Sequence, residues 1–244
     1  MALEGGLALE VAFLGVGEAF GSRANTTLLV NRELLLDCGP HALLQLRKLG
    51  AELVKIKLVF ISHLHGDHFL GIPALLLAAR EDGREEPLTL LGPKGLREVT
   101  QELLNLSYRK SLEELPYDVR FVEVGRKVSL HGYELEFAPT QHSVPAFAVS
   151  VRRRKKLTYA GDGAPTEELV ELASGSDLLV AEAYGGGAAT HSSPVLAAQL
   201  AKKARVKLLA LVHIWRRLRN EEVEKAREVF GSIILPEDLE TVRI

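Results

Sequence analysis

The chain of 244 residues holds a single cysteine, Cys38, which excludes both an internal disulfide framework and an all-thiolate zinc site. Long apolar runs are lacking too. Leucine-rich stretches such as LGIPALLLAAR stop short of the roughly 18 residues that a membrane span needs. The amino-terminal MALEGGLALEVAFLG has no basic segment ahead of its apolar run, so it reads as an early strand and not as a signal peptide. Neither sign of charge dominates. The 30 Lys and Arg residues against 32 Asp and Glu leave a net charge of −2, which supplies no global field for nucleic acid and restricts any such contact to a local patch. No Pro/Gly/Ser-rich linker, low-complexity run or internal repeat is visible. These absences predict a cytoplasmic protein that does not touch a membrane, folded as one domain over residues 1–244, with a homodimer as an open option. A balance of 47% apolar to 25% charged residues rules out disorder.

What is present is an alternation of strand and helix patterns. Strands are expected at 7–14, 25–30 and 33–37, then a helix over GPHALLQLRKLG with a glycine stop. A buried strand follows at 55–62, a helix at 67–80, a strand at 88–92 and a helix near 94–106. Short strands come next (VRFVEV, KVSL, YELEFAP and FAVSVRRR), then strand 156–162 and a helix. Strand 177–183, a helix near 194–204 and strand 206–213 repeat the pattern. Strand-rich stretches with flanking helices in both halves imply an α/β fold of two packed sheets covered outside by helices, in four layers.

Three of the eight histidines fall in Ser62-His63-Leu64-His65-Gly66-Asp67-His68, straight after a buried strand. His63 and His65 are two apart, so in extended chain their rings point to one side. Gly66 lets the chain turn, and Asp67 and His68 open the next helix, facing back. Four imidazole or carboxylate groups thus converge, a donor set suited to Zn²⁺, with Mn²⁺ or Fe²⁺ as alternatives. Packed together without a cation, such groups would be costly. His142, Asp162 and His213 each lie at or just past a strand end, the last two after the apolar runs KLTYAG and VKLLALV. His41 and His131 have no such context and read as surface histidines.

His-x-His-x-Asp-His after a strand resembles the signature of the metallo-β-lactamase superfamily, and FISHLHGDHFLGIPALL is similar to its tRNase Z branch. LLDCGPHALLQLRKLG, TQHSVPAFAV, LTYAGDG, DLLVAEAY and THSSPVLAAQLAKKARVKLLALVHIWRR resemble further segments of that branch, so the likeness spans nearly the whole chain. It implies the metallo-β-lactamase αββα sandwich and two divalent cations. His63, His65 and His142 would hold one, Asp67, His68 and His213 the other, with Asp162 between them. It also implies His191 as a general acid and Glu182 as the carboxylate that orients it. The blander reading of His191, weighed below that role, is part of a helix start, where Ser192 or Ser193 can cap. Asp37 reads either as a turn residue or as the partner of a ligand imidazole.

The chemistry expected is hydrolysis. Two cations about 3.5–4 Å apart can share a water and make it hydroxide at neutral pH. Asp67 would orient it, and His191 would protonate the leaving group. The chain departs from the branch in three places. Only nineteen residues separate His142 from Asp162, too few for the tRNA-clamping arm. Gly163 stands where Thr or Ser is usual, and IWRRL replaces Ser-x-Arg-Tyr. The expectation is therefore a phosphodiesterase for a small or flexible substrate. The alternatives are a tRNA 3′-processing endonuclease acting on RNA without the arm, and a lactonase or thioesterase of the same fold. The basic run from Arg152 to Lys156 reads as a solvated hairpin tip more readily than as a phosphate contact. Arg216 and Arg217 are better placed for an anion.

Overall fold

The computed structural model describes residues 8–185 and 189–244. The strand expected at 7–14 therefore begins outside the described residues. Its described part is β1 (Glu10–Gly15), followed by β2 (Thr27–Val30) and β3 (Leu34–Leu36). Helix α1 (Ala42–Lys48), β4 (Leu58–Phe60), α2 (Gly66–Phe69), α3 (Ile72–Glu81), β5 (Leu88–Gly92), α4 (Leu96–Tyr108) and β6 (Val119–Glu123) continue the first half. The second half runs β7 (Lys127–Leu130), β8 (Tyr133–Pro139), β9 (Phe147–Arg152), β10 (Lys156–Tyr159), α5 (Glu167–Ala173), β11 (Leu178–Glu182), α6 (Pro194–Lys203), β12 (Leu208–Val212), α7 (Asn220–Val229), β13 (Ile233–Ile234) and β14 (Glu240–Arg243).

Two seven-stranded sheets result, ordered β14-β1-β2-β3-β4-β5-β6 and β13-β12-β11-β10-β9-β8-β7. The period of two along β1 shows how they stack. Val11 and Phe13 join Leu135, Val149 and Val180 in a core between the sheets, while Ala12 and Leu14 join Leu46, Leu75 and Leu76 beneath α1 and α3. On the second sheet Leu179 and Leu211 face Leu169 of α5 and Ala198 of α6. The layers are helix, sheet, sheet, helix, as expected. Strands such as β3 and β4 are buried on both faces, which is why they read as unbroken apolar runs.

Strands β3 to β6 are parallel in one sheet and β10 to β13 in the other. The segments that leave β3, β4, β10 and β12, and the last residue of β11, carry Asp37, the histidine cluster, Asp162, His213 and Glu182. In open parallel sheets, ligands collect beyond the carboxyl ends of strands.

Three expectations are corrected. The helix over 67–80 is two helices, α2 and α3. Pro73, near the start of α3, has no N–H to continue the helical ladder but is suited to a first turn. At the break, Gly71 and Gly39 touch neighbouring backbone. A Cβ on Gly71 would lie 2.2 Å from the Gly39 carbonyl oxygen, and one on Gly39 would lie 2.0 Å from that of Asp67. Gly39→Ala is accordingly expected to destabilise by about 1–3 kcal/mol and to displace α2; thermal unfolding at the wild-type midpoint would show that the contact relaxes freely. The strand at 55–62 shortens to β4 because Leu53–Lys55 forms a 3₁₀ turn. Residues after 213, to which no element was assigned, supply α7, β13 and β14, and β14 returns to pair with β1. Among the described residues no helix is long and apolar enough to cross a membrane.

Candidate metal centre

Ser62 to His68 leave β4 as extended chain and turn into α2 at Gly66, as the spacing predicts. His63 Nε2 and His142 Nε2 each lie 3.1 Å from His65 Nδ1. The outer nitrogens fix the tautomers. His142 Nδ1 donates to the Thr190 carbonyl at 2.8 Å. Ser62 Oγ gives its proton to Asp37 Oδ2, so it accepts from His63 Nδ1 at 3.0 Å. The inner Nε2 atoms of His63 and His142 are then lone pairs, and a neutral His65 can donate to at most one of them. Three converging nitrogens with too few protons form a cation site.

Opposite lies a second group. His68 Nε2 and His213 Nε2 stand 3.2 Å and 3.3 Å from Asp67 Oδ2, and 3.5 Å and 3.4 Å from Asp162 Oδ2. His68 Nδ1 donates to Asp37 Oδ2 at 2.7 Å, which turns its other nitrogen inward. That inner Nε2 and His213 Nδ1 are buried without a hydrogen bond. Tetrahedral zinc with bonds of ~2.0–2.1 Å holds its donor atoms about 3.3 Å apart. The distances in both groups match that edge, and the residues present fit divalent cations.

The electrostatics agree. Burial, helped by His68, pushes the His63 ring down to about 2, and burial also lowers His65, so this side resists protons. On the other side burial opposes charge on His68, but Asp162 and Asp37 outweigh it and the ring is raised well above its usual value. Burial likewise opposes charge on His213, yet Asp162 and Asp67 raise it to about 10. Burial works against ionised Asp162 and Asp67 as well, and the two histidines hold both carboxyls far below their ordinary values. Protonated His68 and His213 thus offset Asp67 and Asp162, and a divalent cation would take the place of those protons.

Asp37, left open by the sequence, is the partner of a cluster imidazole. It is fully buried, and its carboxylate accepts from Ser62 N, Ser62 Oγ, His68 Nδ1 and Tyr159 OH. Its backbone, like that of His213, is left-handed, with φ of 60° and 51°. Such strain in non-glycine residues collects at functional sites. Ser62 and Tyr159 were not anticipated; only the fold brings Tyr159 to Asp37.

Glu182 is buried, and its Oε1 accepts from Gly163 N at 2.5 Å and Ser192 N at 3.0 Å. Oε2 accepts from His191 Nδ1 at 3.0 Å. This hydrogen bond, against the cost of burial, raises the His191 ring above its usual value. Tyr184 stacks on His191 at 4.6 Å, and the His142 ring lies 4.9 Å away on edge. The helix cap is Ser193, which accepts from Leu196 N, so the capping and the His191–Glu182 pairing coexist. At Gly163 a Cβ would meet Thr140 Oγ1 at 2.6 Å, which explains why no hydroxyl residue stands there.

The basic run is a solvated hairpin tip, as the sequence predicts, with Arg152, Arg153 and Arg154 exposed. It lies at the start of β10, the end away from Asp162. Arg153 pairs with Glu33 and covers the Tyr133 ring, Lys155 pairs with Asp177, and the buried Lys156 Nζ donates to the Ser174 carbonyl. Arg216 is tied to the buried Glu18 at 2.7 Å. His41 and His131 are exposed, as expected.

Residues 32–214 match the β-lactamase superfamily domain. A ribonuclease Z from Ignicoccus hospitalis is 34% identical, covering 86% of this chain and 88% of that protein. One from Methanothermobacter thermautotrophicus is 30% identical over 97% of each, and its alignment of 301 positions exceeds the chain's length, so that relative has stretches without a counterpart here. Human tRNase Z, short form, superposes with a TM-score of 0.79 at 27% identity over 96% of this chain and 98% of that one. The metallo-β-lactamase fold protein YhfI from Bacillus subtilis superposes at 0.82 with 21% identity, covering 97% and 100%, and speaks for the fold. The chain belongs to the metallo-β-lactamase superfamily, in its ribonuclease Z-like branch.

Proposed function

We propose that this metal-dependent phosphoester hydrolase is a dinuclear phosphodiesterase for a small or flexible diester, built as one catalytic domain over residues 1–244 and working in the cytoplasm. The observation that carries it is the His191–Glu182 pair set against the two donor groups. A phosphodiester needs charge neutralisation at phosphorus and a proton at the departing oxygen, and both are at hand here. His63, His65 and His142 would hold one cation, Asp67, His68 and His213 the other, with Asp162 between; zinc suits the donors best. Such ions supply Lewis acidity and a water of lowered pKa. Asp67 would orient that water and hold its proton by a hydrogen bond. As the new P–O bond forms and the old one breaks, His191 gives a proton to the departing oxygen, while Glu182 keeps Nδ1–H in place and offsets the ring's charge.

The small substrate follows from the chain between His142 and Asp162, where β9 and β10 are joined by a turn over 153–155. No arm extends from it to hold a folded RNA. RNA is the second reading, favoured by the ribonuclease Z relatives. The zinc-loaded protein should cleave a dinucleotide about as efficiently as a pre-tRNA, and should leave a lactone and a thioester untouched. A kcat/KM for pre-tRNA 3′ cleavage far above that for the dinucleotide would replace the first reading with the second.

A further inference from the structure

His191 can serve as an acid only if its Nε2 keeps pointing at the departing oxygen. The hydrogen bond from Nδ1 to Glu182 Oε2 at 3.0 Å holds one atom of the ring. A single bond of this kind leaves the ring free to swing about the axis of the bond. Burial does not remove that freedom, because the His191 side chain keeps 22% exposure. Two ring contacts do. Tyr184 lies nearly parallel to the imidazole, with centroids 4.6 Å apart and 27° between the planes. The His142 ring meets it on edge, at 4.9 Å and 83°.

Of these two, His142 belongs to the three-histidine group, whereas the chemistry above gives Tyr184 no work. Tyr184 is itself firmly placed. Its neighbours in the chain are tied down on either side: Ala183 N donates to the Val212 carbonyl and Gly185 N to the Ser192 carbonyl, both at 2.9 Å. The second bond joins the residue after Tyr184 to the residue after His191, so backbone and rings hold the two segments in one register. His213, 5.8 Å away at 34°, and Trp215, 6.0 Å away at 26°, pack around the same ring. A flat ring suits the task. Stacked on the imidazole it covers a whole face, where an aliphatic side chain would touch a few atoms.

We propose that Tyr184 is a positioning residue for the acid, its ring face fixing the plane of His191 so that Nε2 stays aimed at the departing oxygen. The proposal deepens the phosphodiesterase reading and rests on it for the role of His191. The phenolic hydroxyl has no part in it, so phenylalanine should serve nearly as well and leucine should not.

On the zinc-loaded protein, Tyr184→Leu should lower kcat for an alkyl diester by on the order of 10- to 100-fold with little change in KM, the cost of misplacing a reacting group by up to about 1 Å. A nitrophenyl diester should barely respond, because its leaving group departs without a proton. Tyr184→Phe should keep most of the activity on both. Added to His191→Ala, Tyr184→Leu should lower the alkyl rate no further, because it acts through a ring that is no longer there. Nuclear magnetic resonance supplies a readout without turnover. In histidine-labelled protein the ring protons of His191, identified by their absence in His191→Ala, should be shielded by the ring current of Tyr184. The shielding should persist in Tyr184→Phe and vanish in Tyr184→Leu, with the exposed His41 and His131 unmoved. Equal losses on the two diesters, a further loss in the double variant, or unshielded His191 protons in the unaltered protein would overturn the positioning role, and the last of these needs no variant to fold. If the unaltered protein cleaved neither diester while the shielding followed the variants as expected, the phosphodiesterase reading would fall and the positioning of His191 by Tyr184 would stand.

Discussion

His191→Ala is expected to lower kcat on an alkyl diester by about 10²–10⁴-fold, the range for removal of a general acid. On a nitrophenyl diester the loss should be far smaller, because nitrophenolate departs without a proton. The variant should keep its metal, since His191 belongs to neither donor group. Glu182→Gln should follow the same pattern more weakly and should add a pH effect. The hydrogen bond from Nδ1 to Glu182 raises the His191 ring, so the protonated acid persists to higher pH than an unpaired imidazole would allow. Without the carboxylate, the falling alkaline limb of kcat should move to lower pH. Measuring kcat against pH for both variants on both diesters decides the matter. Equal losses on the two substrates would make His191 a phosphate-binding group, and no loss would leave it a helix-start residue.

How much of this was legible depended on how local each signal is. His63, His65, Asp67 and His68 lie within six residues, and strand and helix periodicity alone brings their side chains together. His142, Asp162 and His213 carried little meaning singly. What joins them is the meeting of two sheet edges, and the sequence showed that only through family likeness. Asp37 was ambiguous because a carboxylate after an apolar strand looks the same whether it caps a turn or accepts four hydrogen bonds. Burial decides, and burial is a tertiary property. Tyr159 reaches Asp37 from the other sheet, a contact 122 residues apart that no spacing rule can find. The basic run read correctly as a solvated hairpin tip, but its ion pairs did not show in the sequence, because Asp177, on the loop before β11, and Glu33, in the turn before β3, meet it only in the fold. Of the missed carboxy-terminal elements, β13 has two residues and β14 four, both completed only by their neighbours, while the ten residues of α7 bury only Val223 and Ala226 and so show little apolar periodicity.

Removing the cations should cost stability as well as activity, and the cost should grow with pH. Without metal, the positive charge set against Asp67 and Asp162 inside the cluster is mainly that of protonated His68 and His213. Both rings are raised above the usual imidazole value, His213 to about 10. A raised folded-state pKa gives stability that is full below the unfolded value near ~6.5 and is lost as pH climbs through the folded value. The metal-free protein should therefore weaken from about pH 6.5 to about 10. The loaded protein should not weaken in this way, because cations replace those protons. Metal binding then releases protons, so apparent affinity rises over the same window. With free zinc at 1,000 times its Kd the stabilisation is about 4 kcal/mol, on the order of 10 °C in Tm for a chain of this size. His63→Ala should remove the part owed to the three-histidine group, since two imidazoles hold a cation poorly. Calorimetry of chelator-treated and zinc-reloaded protein at pH 6, 8 and 9.5, with elemental analysis alongside, measures this. A difference in Tm that stays flat or shrinks as pH rises would mean that His68 and His213 are neutral in the metal-free centre, and that some other group balances Asp67 and Asp162.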